Sequence, residues 1–101
     1  MCGIAGFFGF THLIQPTQTL ERMTASLEHR GPDAQGLWLD PSAQIALGHR
    51  RLAIVDLSAA GQQPMVSACG RYICIFNGEI YNHQALRKDL ELAGLSLNWR
   101  G

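Results

Sequence analysis

The first ten residues, MCGIAGFFGF, carry no charge and hold glycine at positions 3, 6 and 9. On an extended chain Cys2, Ile4, Gly6 and Phe8 share one face, and Gly3, Ala5, Phe7 and Gly9 share the other. Neither face is polar, so the pattern predicts a strand over residues 2–10 that is buried on both sides. Its glycines leave room for another backbone or a ligand to come close. Their spacing is not the G-x-G-x-x-G of dinucleotide binders, which excludes that reading. No secretory leader is expected, because no basic segment comes first and Gly6 and Gly9 interrupt the apolar run. No stretch reaches the ~20 apolar residues of a membrane span.

Downstream, Pro16 and Thr17 open a helix with Leu20, Met23 and Leu27 at helical spacing, and Gly31-Pro32 stops it. Residues 36–39 and 43–48 read as two strands around the Asp40-Pro41-Ser42 turn. RLAIVDL, residues 51–57, reads as another extended apolar run, and residues 58–64 form a loop by composition. RYICIF, residues 71–76, reads as a further buried strand. Asn82 caps a second helix with Leu86, Leu90 and Ala93 on its apolar side, Gly94 ends it, and Leu95 to Trp99 is extended. Strands come in runs and do not alternate strictly with helices, which predicts an α+β layered fold with mostly antiparallel sheet.

Eight basic and eight acidic side chains cancel, which removes the electrostatic case for nucleic acid or an anionic membrane as partner. Three cysteines fit a reduced compartment, and the expected location is the cytoplasm. Cys69, Cys74 and four scattered histidines form no C-x-x-C or H-x-x-x-H pair, so no metal site is expected and both cysteines read as structural.

Four stretches can carry chemistry. Cys2 is either a small core hydrophobe or a nucleophile whose own α-amine, once Met1 is removed, accepts the thiol proton. Free α-amines titrate at about 7.7–8.0, close to working pH. Position alone favours packing. In FNGEIYN, the Asn77 amide and the Gly78 N–H can converge on one point, as an oxyanion hole requires, and Glu79 adds a carboxylate for a cation. Asn77-Gly78 is equally a plain turn. In GHRRLAI, Arg50 and Arg51 face opposite ways on a strand, so one at most reaches a given pocket. A guanidinium there suits a substrate carboxylate, and a solvated strand end is the plainer reading. HRGPD, with His29 and Asp33, is ordinary turn chemistry and reads as structural.

Taken together and in order, MCGIAGFFG, HRGPDAQG, GHRRLAIVDLS, GQQPM and FNGEIYN resemble the glutaminase domain of glutamine-dependent asparagine synthetases. That domain belongs to the glutamine amidotransferases with an N-terminal cysteine nucleophile, and the match runs from Met1 to about Gly94. The resemblance implies that Cys2 attacks the glutamine side-chain amide with its α-amine as base. It assigns the oxyanion to Asn77 and Gly78 and the substrate α-carboxylate to Arg51 rather than Arg50. It places Ile54 in the substrate site and Glu79 at the end bearing the substrate α-amine. The loop near GQQP is similar to one that closes over bound glutamine.

The fold implied is an N-terminal-nucleophile four-layer sandwich, two antiparallel sheets between helices, with only its first part in residues 1–101. An expected Ser-Asp motif that also binds the α-amine, the remaining strands and a C-terminal synthetase domain would follow. ATP and magnesium are expected only in that domain, and no cofactor in these residues. Unpaired sheet edges and uncovered apolar faces then predict self-association. Two alternatives stay open: the same front end serving a sugar acceptor in surface polysaccharide synthesis, and a truncated remnant without activity.

Overall fold

The computed structural model describes residues 1–53 and 61–97. Strand β1 (Gly3–Phe8) is followed by helix α1 (Pro16–Ala25), strands β2 (Ala34–Asp40) and β3 (Ile45–Arg51), short strands β4 (Met65–Val66) and β5 (Ile73–Cys74), and helix α2 (His83–Leu92). The α+β class with antiparallel sheets is therefore what the chain adopts. β3 lies at the centre of a three-stranded sheet, antiparallel to β1 on one side and to β2 on the other, and β4 pairs with β5.

The register decides which side chains meet. Gly3 pairs with Arg50, Ala5 with Gly48 and Phe7 with Ala46, so these share the face that α1 covers. Leu20, 1% exposed, sits there with Phe10 and Ala46, ringed by Phe7, Leu13, Leu37 and Leu39. Gly48 has no room for a side chain, because a Cβ would run into the Thr24 hydroxyl of α1. Pro16 begins α1, where its missing N–H costs nothing. The helix ends at Ala25, two residues short of Leu27. From there the Leu27, Glu28 and Arg30 N–H groups donate three residues back, and the Leu27 side chain still packs beneath Gly3.

The β2–β3 turn is built by Asp40, whose Oδ1 accepts the Ser42 and Ala43 N–H groups at 2.9 and 3.2 Å. β2 runs longer at both ends than the pattern predicts, and β3 starts two residues later than residue 43 but continues through both arginines.

Several expectations need correction. β1 is not buried on both sides: Ile4 is 48% exposed and Phe8 78%, on the face away from α1. The strand expected over residues 71–76 shrinks to Ile73–Cys74, and Tyr72 and Phe76 are exposed. On the other strand the ladder ends at Met65, and the next N–H in register, that of Phe76, goes to the Gln63 side chain instead of a backbone carbonyl. Asn82 stands at the N-cap of α2, but its side chain makes no cap hydrogen bond.

At the other end, Gly94 (φ +88°) closes α2 as the pattern predicts. The Leu95 N–H donates to the Leu90 carbonyl and the Gly94 N–H to that of Glu91, a Schellman motif. No residue of α2 is buried, so the apolar side of Leu86 and Leu90 faces outward. Cys69 and Cys74 are exposed free thiols and pack into no core. Residues 54–57 of the extended RLAIVDL run, loop residues 58–60, and the last residues of the Leu95–Trp99 piece lie outside the described residues.

Candidate active site

The face of the sheet away from α1 carries Arg51, His49 and Leu47 from β3, with Ile4 and Gly6 from β1 and Gly36 from β2. Extending the β1–β3 ladder by one residue sets Cys2 opposite Arg51. Strand alternation thereby separates the two arginines. Arg50 lies on the helix side, where its Nε donates to the Gly31 carbonyl at 2.8 Å and Nη1 to Gln35 Oε1 at 3.1 Å. Arg51, 8% exposed, faces the opposite way.

There a cleft of about 280 Å³ is lined by Cys2, Arg51, Asn77, Gly78 and Glu79 together, with Met1 at its side. Five of the six residues singled out from the sequence thus border one space, while Ile54 lies outside the described residues. Small-molecule sites run from roughly 300 to 1,000 Å³, so this cleft suits a ligand the size of an amino acid.

Cys2 is held by its own backbone and sulfur. The Arg30 Nε donates to the Cys2 carbonyl at 3.1 Å, and the Leu52 N–H approaches Sγ at 3.3 Å. The chain beyond β3 is fixed by Asp33, whose N–H donates to the Arg51 carbonyl and whose Oδ2 accepts the Ala53 N–H at 2.7 Å. HRGPD therefore acts through its arginine and aspartate to place Cys2 and the chain after Arg51, the structural role expected of it. Gly61 leaves space for Arg51: a Cβ there would fall 2.5 Å from Nη2.

His49 was not singled out from the sequence. It is 1% exposed, borders the cleft, and its Nε2 has no hydrogen-bond partner among the described residues. Burial pushes its pKa below the usual 6.5; a hydrogen bond to the Phe76 backbone opposes this, and the Arg51 charge adds to it. It stands two residues before Arg51, so alternation alone places it on the same face. Gln63 and Arg30 gave no comparable signal, because their contacts join distant segments. Behind His49, Arg51 and Gln63 lies a second space of about 40 Å³, room for water.

Among the described residues no group of three His, Cys, Asp or Glu is placed to hold a metal ion. No helix among them is long and apolar enough to cross a membrane.

The cleft thus sets Cys2, just before β1, and Arg51 of β3 beside Asn77 and Gly78. The sequence profile of the glutamine amidotransferase domain matches residues 1–101, and the chain belongs to that family. It is 44% identical over 99 residues to asparagine synthetase [glutamine-hydrolyzing] 3 of Bacillus subtilis, covering 93% of this chain and 15% of that protein. It is 39% identical over 90 residues to asparagine synthetase B [glutamine-hydrolyzing] of Escherichia coli, covering 88% and 16%. Amidase chry2 of Gibberella zeae is 37% identical over 100 residues, covering 89% and 15%. The chain spans about 15% of the length of these relatives.

Proposed function

We propose that this chain is the N-terminal glutaminase part of a glutamine-hydrolysing asparagine synthetase. The observation that carries this reading is the single cleft shared by Cys2, Arg51, Asn77, Gly78 and Glu79. Removal of Met1 exposes the Cys2 α-amine, which takes the thiol proton. The sulfur then attacks the side-chain amide carbon of glutamine. The Asn77 amide and the Gly78 N–H hold the oxygen as it gains charge. As the C–N bond breaks, the ammonium returns its proton and ammonia leaves, and water then cleaves the thioester to glutamate. The Arg51 guanidinium binds the substrate α-carboxylate through two parallel hydrogen bonds, and Ile54 and Glu79 complete the substrate site.

The ammonia passes to an aspartate activated with ATP and magnesium in a C-terminal synthetase domain, and residues 1–101 need no cofactor. The fold in this reading is the first part of a four-layer N-terminal-nucleophile sandwich, a partial amidotransferase domain working in the cytoplasm.

Mass spectrometry after treatment with 6-diazo-5-oxo-L-norleucine, a glutamine analogue, tests this directly. The expected product lacks Met1 and carries one adduct on Cys2; intact Met1 with no adduct refutes the reading. Asn77→Ala should lower glutamine turnover by about 10²- to 10³-fold, the cost of one oxyanion donor.

A further inference from the structure

The β4–β5 ladder pairs Met65 with Cys74 and Val66 with Ile73. Carried towards the cleft, the same register sets Pro64 opposite Ile75 and Gln63 opposite Phe76. The Ser67 N–H donates to the Tyr72 carbonyl, so by antiparallel alternation Pro64–Ile75 is a non-hydrogen-bonded pair and the next backbone bond would fall at Gln63 and Phe76. The Gln63 carbonyl is placed elsewhere: it lies over Gly36 of β2, where a Cβ would collide with it. The Phe76 N–H is nonetheless satisfied, donating to Gln63 Oε1 at 2.5 Å. A side-chain amide thus stands in for the carbonyl that a regular ladder would present. The donor it holds, the Phe76 N–H, sits one residue before Asn77, and Gln63 borders the same cleft.

We propose that Gln63 is a positioning residue for the Asn77–Gly78 turn, its side-chain carbonyl fixing the Phe76 peptide and with it the placement of the turn relative to Cys2. The catalytic half of this rests on the glutaminase reading. Gln63 does not touch the reacting atoms. It binds the strand end to a segment that is itself packed on β2, so the oxyanion donors take their height from the main sheet. An orientation error of about 1 Å at such donors costs roughly 100-fold in rate.

The test uses the intact natural polypeptide and three forms of it: wild type, Gln63→Met, which keeps the length and removes the acceptor, and Gln63→Glu, which restores an acceptor oxygen. Each is treated with 6-diazo-5-oxo-L-norleucine, whose ketone needs the oxyanion donors, and with iodoacetamide, which does not. Gln63→Met should lower the maximal inactivation rate by the analogue roughly 10- to 100-fold. Half-saturation and iodoacetamide labelling should stay within about twofold, and Gln63→Glu should recover most of the rate. Equal loss with both reagents, loss through half-saturation alone, or no loss overturns the proposal. Hydrogen exchange reads the contact without chemistry: the Phe76 amide is protected in wild type and exchanges at least about tenfold faster in Gln63→Met, with β3 amides unchanged. A wild-type Phe76 amide that exchanges freely overturns the proposal whatever the reagents show. Wild type that protects this amide yet resists the analogue refutes the glutaminase reading and the catalytic half with it, while the structural contact stands.

Discussion

Residues 3–51 and residues 65–95 use similar materials to opposite effect. Both contain strands and one ten-residue amphipathic helix. In the first region α1 finds a sheet face of glycine and alanine, and Leu20 and Thr24 are fully enclosed. In the second, α2 has a closed C-terminal end and no buried residue, and its neighbours β4 and β5 are two residues each. Periodicity makes a helix in both cases, but only the first has a described partner for its apolar side. The cleft lies where the two regions meet: Arg51 comes from the packed part and Cys2 from just before it, and Asn77 and Gly78 come from the open one.

Mutations should separate the two regions by size of effect. Leu20→Ala removes a fully enclosed side chain and should cost about 2–5 kcal/mol in urea denaturation; a loss under about 1 kcal/mol breaks the contrast. Acid should act through the packed region as well. Since the folded state holds His49 below its ordinary pKa of 6.5 by burial, the unfolded chain binds the extra proton more readily. Stability is therefore full above about 6.5 and falls as pH drops through and below it, and His49→Gln should flatten that decline in urea midpoints measured from pH 7.5 to 5.5. In the open region, Gly94→Ala forces a side chain into φ +88° and should cost about 1–2 kcal/mol, seen as lost α2 helicity by circular dichroism and not as global unfolding. Leu86→Ala, at a position 44% exposed, should change stability by no more than about 0.5 kcal/mol. A Leu86→Glu, Leu90→Glu pair should reduce concentration-dependent association in sedimentation, and identical profiles with and without the pair would remove α2 as its cause.

What the sequence disclosed follows the same division. α1, β2 and β3 could be read because period and partner agree, and strand alternation alone separated Arg50 from Arg51. Cys2, Arg51, Asn77, Gly78 and Glu79 were singled out on short motifs, and the structure brings these five to one cleft. Burial of β1 and of residues 71–76 was misread for one reason: an apolar run reports what a segment would cover, not whether a covering element exists among the described residues. Arg30 on the Cys2 carbonyl and Gln63 on the Phe76 N–H escaped because each spans a gap in sequence that no local pattern encodes.

The moorings of Cys2 have a bearing on maturation. They run through its carbonyl, held by Arg30, and its sulfur, beside the Leu52 N–H. Both lie on the downstream side of the peptide bond that an aminopeptidase would cut. Met1, 70% exposed, projects from the far side of that bond. If the proposed function holds, trimming can therefore follow folding: Met1 sits at the rim of the cleft, and taking it away would disturb neither grip on Cys2.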